Sequence, residues 1–264
     1  MKTLILAAGK GTRLRPITDF IPKPMVPIHG RPLLEWLLLH LISHGLREYV
    51  MAVSYFADQI ENYFGDGSRW GVKIEYSYGL SPGGKAGEVW RAKELLGNDE
   101  KQFLVVPGDT ISHLDYSELI AFHQRHRGLV TIALSTCYRL EVGLAEVNEQ
   151  EIVTHFYEKA NLGRPVSTGA YMLDSGIMPY IERFVPDRHM VDLPGDVFPA
   201  LLKENVPIYG FVRDYDWRDI GKMSDYEEIT KMPTVEASRV LCLDKINSIS
   251  QGVASTRPAQ ISIN

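Results

Sequence analysis

The stretch LILAAGKGTRLRPITDFIPKPM, Leu4–Met25, begins as a strand and continues as a long irregular loop. Its continuous apolar start is typical of a parallel strand that is buried on both faces. The next helical pattern begins near Pro32, whereas a plain strand-to-helix connection needs only about 2–6 residues. Long loops without secondary structure in compact domains are usually functional or disordered. Because ligands bind beyond the carboxyl ends of strands in open α/β sheets, we expect this loop to line a site.

Strands and helices alternate along the chain, which predicts an α/β fold with a parallel or mixed sheet covered on both faces. In the first half, the predicted strands are 3–8, 48–55, 72–78 and 102–107. The predicted helices between and after them are 32–45, 57–65 and 85–97. In the second half, strand-like runs cover 129–138, 142–148, 151–159, 165–173 and 207–217. We expect the first four of these runs to extend the sheet as antiparallel strands. Further helices are predicted over 175–184, 196–204 and 223–232.

The composition is that of a globular protein without a charged surface for nucleic acids. Of its 264 residues, 45% are hydrophobic and 23% are charged, as in ordinary soluble domains. The net charge of −5 argues against a broad nucleic-acid interface. Cys137 and Cys242 lack the spacing of a metal site or a disulfide framework. No signal peptide is visible, and the longest apolar stretch, 33–42, is too short to span a bilayer. We therefore expect a cytoplasmic protein that binds neither nucleic acid nor membrane.

The opening loop combines glycines with basic side chains, a pattern that suits phosphate. Gly9 and Gly11 allow backbone amides to approach an anion closely. Arg13 can fork across phosphate oxygens, and Lys23, which stands between two prolines, supplies a compact positive charge. Neither the dinucleotide fingerprint nor the Walker A loop matches, because Leu14 replaces the third glycine and no Gly-Lys-Ser/Thr follows. For Lys23 taken alone, a solvated lysine in a surface turn is the alternative.

Five motifs follow one another along the chain in an order that resembles a known family. They are LAAGKGTRLRPITDFIPKPM (6–25), VVPGDT (105–110), FYEKA (156–160), VSTGAYML (166–173) and WRDIGKMSDY (217–226). Together they resemble the sugar-1-phosphate nucleotidyltransferases, or nucleotide-sugar pyrophosphorylases, over residues 1 to about 231. This family includes glucose-1-phosphate thymidylyl-, cytidylyl- and uridylyltransferases and mannose-1-phosphate guanylyltransferases.

The resemblance implies both a fold and a reaction. The fold is a Rossmann-like three-layer α/β/α sandwich with a mixed, mostly parallel central sheet. The reaction condenses a nucleoside triphosphate with a sugar 1-phosphate, expected to be a hexose 1-phosphate, and releases a nucleoside diphosphate sugar and pyrophosphate. Such a reaction needs no protein nucleophile, so catalysis consists of positioning and charge neutralisation.

The resemblance also implies roles for particular residues. Nucleotide binding falls on Leu6, Ala7, Ala8, Gly9, Gly11, Thr12, Arg13, Lys23, Gly84, Lys85, Gly108 and Asp109. Arg13 and Lys23 are the implied catalytic residues: Arg13 would stabilise the departing pyrophosphate, and Lys23 the charge around the α-phosphorus. Asp109 and Asp219 would hold Mg²⁺, the implied cofactor, which favours carboxylate oxygens. Sugar-phosphate recognition falls on Glu158, Lys159, Thr168, Gly169 and Trp217. Trp217 either stacks near the sugar or fills the core, and Tyr171 is expected in the core.

The sequence departs from the family pattern where the base and the sugar would be recognised. Lys85 occupies a common threonine position in SPGGKAGEVW (81–90), and is either a new contact or a solvated residue at a helix start. The glutamine often found upstream is absent. Ser167 replaces a common asparagine, and Ala160 replaces a common proline. The identities of the base and the sugar therefore stay open.

Two other functions stay open as well: a cytidylyltransferase for a non-sugar phosphate such as phosphocholine, and a non-catalytic paralogue that senses nucleotide sugars. We expect one catalytic domain over 1–232 and a partly disordered extension over 233–264. That extension is too short for the β-helix domain of many relatives, since a solenoid needs at least ~3 repeats. Besides the two substrates, the expected partner is a second copy of the chain in a homo-oligomer.

Overall fold

The computed structural model describes residues 1–81, 83–97, 101–138, 142–158, 161–185 and 190–232. Within these residues the strands are β1 (Lys2–Leu6), β2 (Pro27–Ile28), β3 (Arg31–Pro32), β4 (Glu48–Val53), β5 (Lys73–Tyr78), β6 (Gln102–Pro107), β7 (Thr110–Ser112), β8 (Val130–Ser135), β9 (Leu144–Val147), β10 (Val153–Tyr157), β11 (Val166–Asp174), β12 (Ile208–Arg213) and β13 (Trp217–Asp219). The α-helices are α1 (Leu33–Ser43), α2 (Ala57–Phe64), α3 (Gly84–Arg91), α4 (Lys93–Leu96), α5 (Tyr116–His126), α6 (Met178–Glu182), α7 (Phe198–Lys203) and α8 (Met223–Lys231).

Seven strands form a central sheet in which six run in the same direction. The order across the sheet is β12-β8-β11-β6-β1-β4-β5. Strands β1, β4, β5 and β6 are parallel to one another, β12 is parallel to β8, and β11 is antiparallel to both of its neighbours. The mixed, mostly parallel sheet is therefore confirmed. Because the six parallel strands end at one edge, the loops that follow them meet there, beside the start of β11.

Helices cover both faces of this sheet, which confirms the three-layer α/β/α sandwich. Consecutive residues of β1 and β6 point to opposite faces, and both sets are buried. Ile5 and Leu104 belong to the core that contains residues of α1, α2, α5 and α8. Leu4 and Phe103 belong to the core that contains residues of α3, α4, α6 and α7. Burial on both faces explains why these strands are continuous apolar runs.

Helix α1 is buried nearly all round, and its acidic residue is paired. Glu35 is 4% exposed. Its Oε1 accepts a hydrogen bond from Arg31 Nη1 at 2.7 Å, and its Oε2 accepts one from the Tyr63 hydroxyl at 2.6 Å. Because both carboxylate oxygens have partners, the cost of burying this charge is largely offset.

The second half of the chain differs from the prediction in its strands. Strand β11 joins the central sheet as an antiparallel strand, as predicted. Strand β8 is antiparallel to β11 but parallel to β12. Strands β9 and β10 lie outside the central sheet. These two strands pair with each other in a separate hairpin. Their residues are exposed on both faces. The strand-like pattern of these residues therefore does not come from one face being buried against the central sheet.

The helices also differ from the prediction in length and number. The helix expected over 85–97 is two helices, α3 and α4, which meet at Ala92. The prolines in the helices expected over 175–184 and 196–204 lie in the first turns of α6 and α7, where the missing N–H costs nothing. Helix α5 was not predicted, although Asp115 caps it by accepting from the Glu118 amide at 2.9 Å. An Asp followed three residues later by Glu is a helix-start signal.

The domain boundary at residue 232 coincides with the last described residue. The extension over 233–264 lies outside the described residues, so the division of the chain stays a prediction. In the part of the chain that the structure describes, no helix has the length and apolar character needed to cross a membrane.

Candidate active site

Two aspartates that are far apart in sequence meet at the carboxyl edge of the sheet. Asp109 lies between β6 and β7. Strand β13 pairs antiparallel with β7, in a register that places Asp219 opposite Thr110. The Ile220 amide donates to the Asp109 carbonyl at 3.3 Å. The pairing of these two short strands therefore brings the two carboxylates together.

The Lys23 ammonium lies between these two carboxylates. Its Nζ donates to Asp109 Oδ2 at 2.6 Å and to Asp219 Oδ1 at 2.8 Å. The lysine side chain is 8% exposed, whereas the aspartate side chains are 32% and 42% exposed. Burial by itself lowers the pKa of Lys23, but the two carboxylates outweigh burial and raise that pKa above its ordinary value of 10.5. Lys23 is therefore charged at neutral pH, and the alternative of a solvated surface lysine is wrong.

Glycine is required at position 11 because of Lys23. Gly11 has a φ of +61°, and a Cβ there would lie 2.8 Å from Lys23 Cβ and 3.1 Å from Thr18 Cγ2. The Thr18 hydroxyl donates to the Gly11 carbonyl at 2.8 Å and holds this contact in place. The role of Gly11 in binding an anion stays a prediction, and the structure adds that close packing against the lysine stem also requires glycine there.

Arg13 and Gly9 are exposed parts of the same loop. The Arg13 side chain is 67% exposed, and its Nη2 lies 3.9 Å from Asp219 Oδ2. A Cβ at Gly221 would lie 3.2 Å from the same nitrogen, so glycine at that position leaves room for the guanidinium. At Gly9, an added Cβ would meet nothing within 4 Å. An exposed guanidinium beside the two aspartates and open space at Gly9 are compatible with binding a phosphate chain.

Most of the other residues predicted from the first strand and from the turn after β6 have structural roles. Ala7 and Ala8 are buried, and Leu6 is half-buried. The Gly108 amide donates to the Leu6 carbonyl at 2.9 Å, and a Cβ at Gly108 would lie 2.9 Å from the same oxygen. Glycine there allows β1 and β6 to approach each other. Thr12 is exposed at the start of a short helical turn.

Gly84 and Lys85 form the start of α3, which packs against the segment around Val191. Gly84 has a φ of +76°, and a Cβ there would collide with the Val191 carbonyl. Two amides in the first turn of α3 donate to that carbonyl at 3.0 and 3.1 Å, so they are not open to a phosphate. Lys85 Nζ lies 5.9 Å from the centre of the Tyr171 ring, and Tyr171 is buried as expected. Lys85 is thus half-buried over this ring rather than extended into solvent.

Thr168 and Gly169 begin β11 at the same edge of the sheet. Thr168 is buried, and its hydroxyl lies 3.0 Å from the hydroxyl of Tyr215. The Tyr215 carbonyl accepts from Ser135 Oγ at 2.6 Å, and burial raises the pKa of Tyr215 to about 12. Gly169 has a φ of +82°, and a Cβ there would lie 3.3 Å from Pro107 Cγ. Thr168 therefore has protein partners, and Tyr215, which the sequence analysis missed, links β11 to the loop before β13.

The other residues predicted for the sugar phosphate are less closely tied to this centre. Trp217 stacks on Tyr138 with ring centres 6.1 Å apart and also packs against the core. Its Nε1 is buried and has no hydrogen-bond partner among the described residues. Glu158 is exposed directly after β10. Lys159 lies outside the described residues, so the structure does not show where it lies.

Asp225 also supports the site and was not predicted. Its Oδ2 accepts from the amides of Gly221 and Lys222 at 3.1 and 2.9 Å. These bonds cap α8 and fix the turn that directly follows Asp219. An acidic residue at the third position of a helix is a recognisable capping signal, so this role was accessible from the sequence.

Asp109 and Asp219 are the residues of this site that could hold a metal ion. Their oxygens converge on one point, now taken by the Lys23 ammonium. Mg²⁺ is commonly bound through one or two carboxylates while waters and substrate phosphates complete its coordination, so the pair suits it. Across the described ranges, no group of three or more His, Cys, Asp or Glu side chains is arranged to hold a metal.

Comparison with known proteins gives the same picture as the geometry. Residues 2–234 match the family model described as nucleotidyl transferase. The chain is 36% identical over 242 residues to a UTP–glucose-1-phosphate uridylyltransferase from Synechocystis sp., covering 86% of this chain and 61% of that relative. It is 34% identical over 227 residues to a mannose-1-phosphate guanylyltransferase from Mycobacterium tuberculosis, covering 84% and 62%. The chain thus spans about three fifths of the length of these curated relatives.

A solved structure extends the agreement to three dimensions. HddC from Yersinia pseudotuberculosis superposes with a TM-score of 0.67 at 26% identity, covering 87% of this chain and 98% of that one. The residues that match the family model include the loop after β1, Asp109 and Asp219. The chain therefore belongs to the nucleotidyl transferase family.

Proposed function

We propose that the protein condenses a nucleoside triphosphate with a hexose 1-phosphate, producing a nucleoside diphosphate sugar and pyrophosphate. The observation that carries this proposal is the Lys23 ammonium held 2.6 and 2.8 Å from Asp109 and Asp219 at the carboxyl edge of the sheet. The names of the relatives support the substrate class, since one is a uridylyltransferase for glucose 1-phosphate and another a guanylyltransferase for mannose 1-phosphate.

In this reaction the residues around Lys23 act by position and charge. A phosphate oxygen of the sugar 1-phosphate attacks the α-phosphorus, a new P–O bond forms, and the bond to the departing pyrophosphate breaks. Lys23 is placed to stabilise the negative charge that gathers at the α-phosphoryl group, because its ammonium is charged and lies at the carboxyl edge of the sheet. Arg13 has an exposed guanidinium that can pair with pyrophosphate oxygens.

The net charge of the site favours the binding of Mg²⁺ together with a triphosphate. The positive charges of Arg13 and Lys23 are balanced by the negative charges of Asp109 and Asp219. These four side chains therefore have no net positive charge with which to neutralise a triphosphate. A divalent ion held by Asp109 and Asp219 would supply the missing positive charge. In the apo state, Lys23 keeps the two carboxylates together and prevents their mutual repulsion.

The residues that the resemblance assigns to the sugar phosphate are at the start of β11 and directly after β10. Glu158 can accept hydrogen bonds from sugar hydroxyls, and Lys159 can pair with the sugar phosphate. Thr168 and Gly169 would act through the backbone, since the Thr168 hydroxyl already has protein partners. The buried Nε1 of Trp217 is a further donor among the assigned residues. These assignments rest on the resemblance and on the position of the elements.

A substrate matrix tests the proposal directly. The five common triphosphates are combined with glucose 1-phosphate and with mannose 1-phosphate, with and without Mg²⁺, and pyrophosphate release is measured. We expect turnover with at least one pair, and its loss on chelation of the metal. Turnover of CTP with phosphocholine but with neither sugar phosphate would favour the non-sugar alternative. Calorimetric binding of a nucleotide sugar without turnover of any pair would favour a sensor and contradict the proposal.

A cytoplasmic location and a homo-oligomer complete the proposal. The location is supported by the composition and by two cysteines without disulfide spacing. Cell fractionation and light scattering on the purified protein measure these two properties, and a monodisperse monomer would contradict the second.

A further inference from the structure

Helix α3 carries an ion pair with a buried carboxylate and a partly exposed guanidinium, which the resemblance does not account for. Glu88 is 4% exposed, and its Oε1 accepts from Arg91 Nη1 at 2.7 Å. The same oxygen accepts from the backbone amide of Gly83 at 2.7 Å. Its Oε2 is buried without a hydrogen-bond partner among the described residues. A buried carboxylate with one unsatisfied oxygen costs stability, so core packing alone gives no reason for this residue.

The Arg91 guanidinium is packed against the backbone of the segment that joins β5 to α3. A Cβ at Gly79 would overlap Arg91 Nη1, and a Cβ at Gly83 would lie 2.8 Å from Arg91 Nη2. Two glycines thus make room for one planar cation, and the Glu88 carboxylate holds that cation in place. Because the Gly83 amide is bound by the same carboxylate, Glu88 and Arg91 hold the segment both by packing and by a backbone hydrogen bond.

This segment leaves β5 at the edge of the sheet where the candidate active site lies. The Gly79 amide donates to the carbonyl of Val53, the last residue of β4, at 2.9 Å. At its other end, the Val191 amide donates to the Gly83 carbonyl at 2.8 Å. The segment leads directly into Gly84 and Lys85, which are predicted to contact the nucleotide. Its shape therefore decides how these two residues meet the ligand.

We propose that Glu88 and Arg91 are positioning residues that fix the segment between β5 and α3 for recognition of the nucleoside triphosphate. This inference rests on the proposed function of the same site. Neither residue is among the predicted phosphate contacts or the predicted catalytic residues, so we expect the pair to act on triphosphate binding and not on the chemical step. Its loss therefore raises the KM for the triphosphate while kcat and the KM for the sugar phosphate stay near their original values.

The experiment compares Glu88→Ala, Glu88→Gln and Arg91→Lys with the matched control Glu35→Ala. Glu35 is equally buried and equally paired with an arginine, but it lies in α1. Pyrophosphate release is measured with the triphosphate and sugar 1-phosphate that the substrate matrix selects. We expect Glu88→Ala to raise the KM for the triphosphate about tenfold, the effect of losing one hydrogen bond to a charged group. Glu88→Gln should recover most of the affinity, because its amide oxygen can still accept from the Gly83 amide.

The control separates positioning from general loss of stability. Glu35→Ala should lower the melting temperature at least as much as Glu88→Ala does, because both Glu35 oxygens have partners, but it should leave the triphosphate KM unchanged. The proposal is overturned if Glu88→Ala leaves that KM unchanged, if Glu35→Ala raises it equally, or if kcat falls instead. Should Glu88→Ala fail to fold, the same comparison is made with Arg91→Lys, which keeps the charge but loses the planar fork.

Hydrogen exchange tests the inference independently of turnover. In Glu88→Ala, amides 83–87 should lose protection while those of α1 keep it. If no pair of substrates is turned over, the proposed function fails, yet the exchange of these amides still decides whether Glu88 holds the segment. Unchanged protection there would overturn the inference even in an active enzyme.

Discussion

Replacement of Lys23 by alanine is the change that tests the centre of the site most directly. It removes a charged group that donates to Asp109 Oδ2 and Asp219 Oδ1 at 2.6 and 2.8 Å. The change also leaves two carboxylates facing each other without a cation between them. A lysine in a loop would ordinarily contribute little to stability, but this one is 8% exposed and has two partners.

The effect on stability follows from the exposure of the two partners. A hydrogen bond to a charged group contributes about 1.5–3 kcal/mol, but Asp109 and Asp219 are 32% and 42% exposed, so water screens both bonds. Exposed ion pairs contribute less than buried ones, so we reduce the contribution of both hydrogen bonds accordingly. We expect Lys23→Ala to lower the free energy of unfolding by about 1–2 kcal/mol. For a protein of this size, that loss lowers Tm by roughly 2–8 °C.

The effect on turnover should be larger than the effect on binding. Losing a preorganised electrostatic stabiliser of the transition state lowers kcat by about 10²-fold or more. Lys23→Ala should therefore reduce kcat and kcat/KM together, with a smaller change in the triphosphate Kd measured by calorimetry. Lys23→Arg should restore little, because a planar fork does not fit where a compact ammonium contacts two carboxylates. Lys231→Ala is the control, because Lys231 forms an exposed ion pair with Glu227 at 2.7 Å.

The pH dependence of this stability difference has a definite sign. The folded-state pKa of Lys23 is raised above its ordinary value of 10.5 by the two carboxylates, although burial opposes them. Its contribution is thus fully present below about 10.5 and is lost as the pH rises through the folded-state pKa. Between pH 6 and 9, the Tm difference between wild type and Lys23→Ala should stay constant. A variant with full kcat and a raised KM would show that Lys23 only binds substrate, and an unchanged Tm would refute the ion-pair reasoning.

Five further substitutions test other parts of the site. Asp109→Asn and Asp219→Asn should each lower kcat by at least about 10²-fold, as expected for loss of one key charge; near-normal activity of both variants at saturating Mg²⁺ would contradict the metal assignment. Lys85→Thr should change the ranking of the five triphosphates by kcat/KM, whereas a uniform change would indicate that Lys85 does not contact the base. Gly11→Ala should destabilise the protein by about 1–3 kcal/mol in chemical denaturation, because it strains a left-handed residue packed on Lys23. Gly9→Ala should unfold like wild type, since an added Cβ meets nothing within 4 Å, but it should raise the triphosphate KM if phosphate lies there.

The layered architecture could be predicted from the sequence because its signals are local. The apolar run at the start of the chain shows a strand without a solvent face, and such a strand requires helices on both sides. Helix α1 follows from its apolar composition and from its stop at Gly45. The order of the strands does not follow in this way, because nothing in β9 or β10 shows that they leave the central sheet to form a separate hairpin.

The motifs were sufficient to locate the site but not to assign each residue its role. The loop after β1, Asp109 and Asp219 were all predicted, and the structure places them at one edge of the sheet. Gly11 and Gly108 were predicted as ligand contacts, which stays a prediction, and the structure shows in addition that Lys23 Cβ and the Leu6 carbonyl leave no room for a Cβ at these positions. A glycine in a sequence can indicate that a Cβ would not fit at that position, but it does not indicate which neighbouring atoms would clash with it.

The partners of the charged groups were decided by tertiary structure alone. Lys23 lies 86 residues from Asp109 and 196 from Asp219, and their contact depends on the register in which β13 pairs with β7. Glu88 resembles an ordinary helix-surface residue in the sequence, but in the structure it is 4% exposed and accepts from the Gly83 amide and from Arg91. The spacing of hydrophobic residues along a helix or strand indicates which of its faces is buried. The environment of a charged side chain depends instead on chain segments that meet only after folding.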